Sequence, residues 1–317
     1  MFQITKIDEN NPLKFMSINK WTTILSVVLI LLSLGSLAVN KLNWGLDFTG
    51  GTLVEVGFEQ PADLAELRTV LEGNEFGDAV VQNYGTQRDV LVRIPPRDDA
   101  ASDTIGNELL EVLQSNIDGG IDVRRVEFVG PQVGEELAEA GGLAMLVALI
   151  CILVYVSFRF EWRLALSAVA GLAQDVILIL GLFSLLQMQV DLTILAALLA
   201  VIGYSLNDSI VVADRIRENF RKLRKNTPEE VIDISLSQTL SRTLVTSLTT
   251  LLVLLVLMFF GGQMIFGFAV ALSMGVIVGT YSSVFTRSTL VLAMGISRDD
   301  LMPPEIEKEG EEQDNYL

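Results

Sequence analysis

Three ionisable side chains lie inside or at the edge of long apolar segments. Asp175 and Asp208 each interrupt a segment that is otherwise uncharged, and Arg242 stands at the start of another. A charge at the centre of a bilayer costs about 2.5–3.5 kcal/mol on insertion scales. Such groups are retained mostly where they face a partner or a water-filled cleft, so we interpret them as candidates for a proton relay.

Asp208 and Arg242 are expected to lie at similar depth. Asp208 follows Asn207 and precedes Asp214 by six residues, which is about 9 Å at the helical rise. An aspartate and an arginine at matched depth on sequential helices can form a pair whose strength depends on the aspartate proton. We therefore expect Asp208, Asn207 and Arg242 to form one polar cluster. The alternative for Arg242 is that its side chain extends to lipid phosphate.

Asp175 is expected near the middle of its segment. It is eleven residues past Leu164, or about 16 Å along a helix. It could belong to the relay. It could equally be a structural clamp, in which Asp175 and Gln174 form hydrogen bonds with a neighbouring helix or a partner.

The composition is typical of a membrane protein. Of 317 residues, 50% are hydrophobic and 19% charged, and the mean hydropathy is +0.48. Histidine is absent and Cys151 is the single cysteine, which excludes Ser-His-Asp catalysis, imidazole metal sites and an intrachain disulfide. No glycine-rich nucleotide-binding loop is present. We therefore expect no enzyme activity and no cofactor, and any energy source should be an ion gradient.

Six membrane spans are predicted from runs of about 20 apolar residues. The last run is 44 residues long, from 243 to 286, and is divided by a turn at Gly261-Gly262. The expected order is an N-terminus at 1–20, a first span at 21–40, an extramembrane segment at 41–139 and five spans within 140–292 with a helical connection at about 214–240. An acidic tail at 293–317 follows, and it is expected to be unfolded from Asp299.

The basic residues predict the orientation of the spans, because lysine and arginine favour the cytoplasmic side. Most of them flank the spans on one side: Lys6, Lys14, Lys20, Arg159, Arg163, the segment 214–225, and Arg287 and Arg298, which are expected to follow the sixth span. The connections QMQVD and GGQM on the opposite side carry no base. Both termini should therefore be cytoplasmic. The segment 41–139, with 20 acidic and 7 basic residues, should be extracytoplasmic. Nucleic acid is not expected as a partner, since no coherent basic face is indicated.

The first span could instead be a cleaved signal peptide, because Ser36-Leu37-Ala38 is an acceptable cleavage site. Its apolar segment, 21–40, is longer than the 7–15 residues typical of such peptides. We therefore expect the span to be retained.

The segment 41–139 has the pattern of a small α+β domain. Strands are expected at 52–58, 78–84, 88–94 and 122–129, and helices at 61–72 and 103–117. This β-α-β-β-α-β order is that of a ferredoxin-like domain. At 80–90 residues it is large enough to bury a core of its own.

Two further motifs concern helix geometry. Thr227-Pro228-Glu229-Glu230 has the form of a capping box that begins a new helix. Gly275 and Gly279 form a small-xxx-small face suited to close helix contact.

Five sequence motifs together resemble the SecF family, the smaller subunit of the SecD–SecF accessory complex of bacterial protein export. They occur in order over nearly the whole chain: WGLDFTGGT, VGPQVGEEL, FRFEWRLALSAVAGLAQDV, IGYSLNDSIVVADRIRENFR and SQTLSRTLVTSLTTLLVLLVLMFFGG. The resemblance implies one half of a twelve-span complex in the inner membrane, related to resistance-nodulation-division transporters. It implies SecD, the Sec channel and the translocating polypeptide as partners, and use of the proton-motive force to promote export.

The resemblance also bears on the candidate relay. The SecD half carries an Asp–Asn pair in its fourth span, whereas this chain has Asn207-Asp208. It is open whether the principal proton-carrying residue is Asp208 or a carboxylate of SecD. Two other functions remain as alternatives: a scaffold that stabilises the translocase without transporting protons, and a proton-coupled exporter of small molecules.

Overall fold

The computed structural model describes residues 12–96, 102–117 and 120–301. Within this part of the chain, six helical segments are long and apolar enough to cross a membrane: Phe15–Val39, Pro131–Arg159, Trp162–Leu186, Leu192–Lys222, Pro228–Phe260 and Gln263–Ala293. The prediction of six spans is confirmed. The expected N-terminal residues 1–11 and most of the acidic tail, 302–317, lie outside the described residues.

The spans are formed by helices α1 (Asn19–Val39), α5 (Pro131–Arg159), α6 (Trp162–Leu186), α7 (Leu192–Lys222), α8 (Pro228–Phe260) and α9 (Gln263–Tyr281). Helices α6 and α7 are the centre of the bundle, with 50% and 44% of their apolar windows buried. Helices α1, α5 and α8 are only 11% buried. Their exposed apolar side chains therefore require lipid or a partner around them.

The sixth span is longer than expected. Helix α9 continues through a π-helical turn, Ser282–Thr286, into α10 (Arg287–Ala293). The expectation that Arg287 follows the span is therefore wrong, because the helix continues beyond it and the residue is only 4% exposed. A short helix α11, Arg298–Leu301, comes next, so the start of the expected unfolded tail is helical.

The extramembrane part contains one antiparallel sheet, here called the sheet domain (residues 51–129). Its strands are β2 (Gly51–Phe58), β3 (Val80–Tyr84), β4 (Thr86–Ile94) and β5 (Ile121–Val129), and its helices are α3 (Leu64–Glu72) and α4 (Ser102–Asn116). The predicted order of strands and helices is confirmed. The sheet order is β3-β4-β2-β5. Alternate residues of β2, such as Val54 and Val56, are fully buried against α3 and α4, because successive side chains of a strand face opposite sides.

The sheet domain is attached to the bundle by a small parallel ladder. Strand β1, Asn43–Trp44, pairs with β6, Gln189–Val190, between α6 and α7. The short helix α2 (Leu46–Thr49) follows β1, and the Asp47 carboxylate accepts a hydrogen bond from the Leu192 backbone N–H at 3.0 Å. The first turn of α7 is thereby held by the segment that enters the sheet domain.

The remaining turns follow the sequence motifs. Thr227 and Glu230 form the predicted capping box at the start of α8. Gly262 separates α8 from α9 with φ of 75°, a conformation that glycine adopts without strain. Gly275 and Gly279 lie against Val201 and Ser205 of α7, so the predicted close helix contact is present.

Candidate functional site

Asp208 is on α7 and contacts both α8 and the sixth span. Its Oδ1 accepts a hydrogen bond from Thr243 Oγ1 of α8 at 2.7 Å, and its Oδ2 accepts one from Ser283 Oγ in the π-helical turn. No described cation is within ion-pair distance of this carboxyl group. A hydroxyl can rotate to donate or accept, so these partners can serve an ionised or a protonated carboxyl group. We call Asp208, Thr243 and Ser283 the Asp208 site.

Arg242 does not pair with Asp208, so the expected pair is absent from the described structure. The two residues are on neighbouring helices, as predicted, but successive residues of a helix point about 100° apart. Thr243 faces Asp208, and Arg242 is exposed on another side of α8. Asn207 is exposed as well. The sequence estimate matched the depth of the two charges and not the direction in which they face.

Asp175 instead forms a buried ion pair with Arg287. The Arg287 Nη2 atom lies 2.8 Å from Asp175 Oδ2, and the side chains are 5% and 1% exposed. Ser205 Oγ also donates a hydrogen bond to Asp175. Gln174, proposed as its companion, binds Thr286 Oγ1 at 3.2 Å. Both therefore contact neighbouring helices, as the structural clamp requires.

Arg287 was missed as an intramembrane residue because a base after a long uncharged run indicates the end of a span. The run of apolar residues after it, STLVLAMGI, is the signal that the helix continues. Buried arginine requires several acceptors, because its guanidinium carries five donors and stays charged. Here they are Asp175, the Ser205 carbonyl at 3.1 Å and hydroxyl at 2.7 Å, and the Ser209 hydroxyl.

The neighbouring glycines give these polar groups space. A Cβ at Gly171 of α6 would lie 2.7 Å from Arg287 Cγ and 2.9 Å from Cδ. A Cβ at Gly279 of α9 would lie 3.0 Å from Ser205 Oγ. Both contacts are too close for a larger residue without movement. The Asp175–Arg287 pair therefore depends on close approach of α6, α7 and the sixth span.

Asp175 and Asp208 therefore lie in different electrostatic surroundings. Asp175 is neutralised by a fixed cation, whereas the partners of Asp208 are hydroxyl groups that carry no charge. Of the two, Asp208 is the one that can gain a proton without leaving a buried cation unpaired.

Comparison with protein families and known proteins gives a consistent result. The model described as "Protein export membrane protein SecD/SecF, C-terminal" matches residues 110–297, and "SecD/SecF GG Motif" matches residues 35–62. The chain is 57% identical to a Vibrio alginolyticus protein translocase subunit SecF over 314 residues, which cover 99% of both proteins. It is 46% identical to the Escherichia coli O157:H7 subunit over 304 residues, 96% of this chain and 94% of that protein.

Solved structures extend the similarity to the fold. The crystal structure of SecDF, a translocon-associated membrane protein from Thermus thermophilus, matches 93% of this chain with a TM-score of 0.82 and 38% identity. A second SecDF structure, in a super-membrane-facing form, matches 89% with a TM-score of 0.66 and 39% identity. This chain spans 39% of the length of each of those proteins.

Proposed function

The chain belongs to the SecF family of protein translocase subunits, and on this premise we propose that Asp208 takes up and releases the proton that couples the bundle to export. The observation that carries the proposal is the Asp208 site. Its carboxyl group contacts α8 and the sixth span through hydroxyls alone. A change in its protonation would alter bonds to two other helices at once. One charge moved through 100 mV is worth about 2.3 kcal/mol, enough to shift a two-state bundle.

We propose supporting roles for Asn207 and Arg242 at the surface that faces the partner. Both side chains are exposed on the chain taken alone, and an exposed arginine in a membrane span needs a counter-charge or lipid phosphate. SecD is the partner that the SecDF structures indicate. A carboxylate of SecD opposite Arg242 would complete a relay shared by both subunits. Asp175 is proposed to act through Arg287 rather than to carry the proton.

The orientation proposed from the basic residues places both termini in the cytoplasm of a multi-pass inner-membrane protein. The sheet domain is then periplasmic. Its β-α-β-β-α-β order and the antiparallel strand order β3-β4-β2-β5 support a ferredoxin-like domain. The exposed apolar faces of α1, α5 and α8 support packing against the other half of a twelve-span bundle. The Sec channel and the translocating polypeptide are proposed as further partners.

The lengths of the connections favour this function over small-molecule export. The links between α6 and α7 and between α8 and α9 are short, whereas we expect an exporter of the related superfamily to carry large extracytoplasmic insertions there. Export and copurification measurements on Asp208→Asn distinguish the scaffold function from the proton relay.

The test is export driven by the proton-motive force in membranes that contain Asp208→Asn. Asparagine keeps the hydrogen bond from Thr243 and cannot take up a proton. Asp214→Asn is the matched control, because Asp214 lies on the same helix in an exposed pair with Arg159, 2.7 Å long. We expect Asp208→Asn to copurify with SecD and to lose gradient-dependent export. Unchanged export contradicts the relay, and loss of copurification supports the scaffold function.

A further inference from the structure

Arg287 is a buried cation of the bundle that the proposed proton transfer does not use directly. Its charge is compensated by Asp175 of α6 at 2.8 Å. A single counter-ion satisfies only part of a guanidinium, and its remaining donors must also find acceptors. The acceptors of Arg287 other than Asp175 all lie on α7.

The α7 acceptors lie on both sides of Asp208 along the helix. Arg287 Nη2 donates to Ser205 Oγ at 2.7 Å, and Nη1 donates to the Ser205 carbonyl at 3.1 Å and to Ser209 Oγ. Ser205 is three residues before Asp208 and Ser209 is the next residue. The guanidinium therefore fixes the turn of α7 that carries Asp208.

Arg287 lies close along the helix to the other partner of Asp208. Ser283, which donates to Asp208, lies four residues before Arg287 within the π-helical turn. Turns of this kind are often found at functional sites, since they reorient side chains locally.

A small cavity connects these groups. It has a volume of about 20 Å³ and is lined in part by Ser209, Ser283 and Arg287. That volume is enough for one water molecule. The Arg287 Nε atom is buried and has no hydrogen-bond partner among the described residues.

We propose that Arg287, neutralised by Asp175, is a positioning residue for Asp208: it holds the α7 turn that carries the proton-carrying carboxyl group. This inference rests on the proposed function of Asp208. It predicts that loss of the pair changes the reactivity of Asp208 even where the complex still assembles.

The test measures Asp208 itself, independently of export. Dicyclohexylcarbodiimide adds to carboxyl groups in their protonated form, and mass spectrometry of the Asp208 peptide gives the rate of labelling in the purified SecD–SecF complex. The double variant Asp175→Asn/Arg287→Gln removes both charges and leaves neither unpaired. We expect labelling of Asp208 to rise about three- to tenfold, because the α7 turn that carries Asp208 loses the contacts of Ser205 and Ser209 with the guanidinium and can open locally. The single variant Arg287→Lys keeps the positive charge beside Asp175, and its Asp208 should be labelled at close to the wild-type rate.

The matched control removes an exposed pair: Arg159→Gln/Asp214→Asn should label at the wild-type rate. If the Asp175/Arg287 double variant assembles and labels like wild type, the inference is wrong and the pair is structural only. If the double variant does not copurify with SecD, the labelling rate of Asp208 is measured in Gly171→Ala instead. That substitution displaces the Arg287 side chain without removing a charge. Faster labelling of Asp208 in Gly171→Ala supports the inference, and an unchanged rate overturns it. Export by Asp208→Asn tests the proposed function separately.

Discussion

Breaking the Asp175–Arg287 pair from one side should cost far more than removing both charges. Asp175→Asn leaves the guanidinium without a counter-charge, and Arg287→Gln does the same to the carboxylate. The side chains are 1% and 5% exposed, so water cannot replace the lost partner. Removing one member of a buried pair costs about 3–5 kcal/mol. The double variant leaves no unpaired charge and should cost less than either single variant, so the coupling energy should exceed about 3 kcal/mol.

The assay is thermal and denaturant unfolding of the three variants in mild detergent, arranged as a double-mutant cycle. Arg159→Gln is the matched control, because it breaks an ion pair whose side chains are 38% and 41% exposed. An exposed pair contributes about 0–1 kcal/mol. If Asp175→Asn and Arg287→Gln each cost no more than Arg159→Gln, or if the double variant costs the sum of the two, the assignment of a buried, mutually dependent pair is refuted.

Two further results are expected. Gly275→Ala should lower the free energy of unfolding by about 1–3 kcal/mol, because its Cβ would lie 2.7 Å from Val201 Cγ1. The control in the unfolding measurements is Gly203→Ala, whose Cβ has no neighbour within 4 Å and which should not destabilise the protein. Burial, and to a lesser extent Asp47, raises the pKa of Asp191 above its usual 3.8. The folded protein then binds this proton more tightly than the unfolded chain, so stability falls as pH rises from 3.8 through the folded pKa. Asp47→Asn keeps an acceptor for the Leu192 N–H and should make that fall smaller in melting temperatures measured against pH. An unchanged pH dependence would exclude Asp47 as a cause.

Local sequence patterns predicted most of the fold. Apolar runs of bilayer length predicted the six spans, and the patterns at 52–58 and 122–129 predicted sheet strands that the structure contains. The capping box at Thr227 and the turn before α9 were predicted for the same reason. Each depends on interactions within one helix, strand or turn, and these leave a direct trace in neighbouring residues.

The partners of the buried charges could not be predicted in this way. Which residue faces Asp208 depends on the rotation of α8 about its own axis, and that rotation is set by packing; it selects Thr243 rather than Arg242. The parallel pairing of β1 with β6 joins Asn43 to Gln189, 146 residues further along the chain, so no local pattern could reveal it.

The sequence by itself determined that this chain is a membrane protein with an inserted α+β domain, because hydropathy and periodicity are summed over short stretches of chain. The tertiary structure decided that Arg287 lies inside the sixth span against Asp175. The physical reason is that the sixth span continues through the π-helical turn at 282–286 and beyond Arg287. Hydropathy alone would end the span at this base. A charge is tolerated there only because two other helices supply its acceptors, and that information exists only when all three helices are packed together.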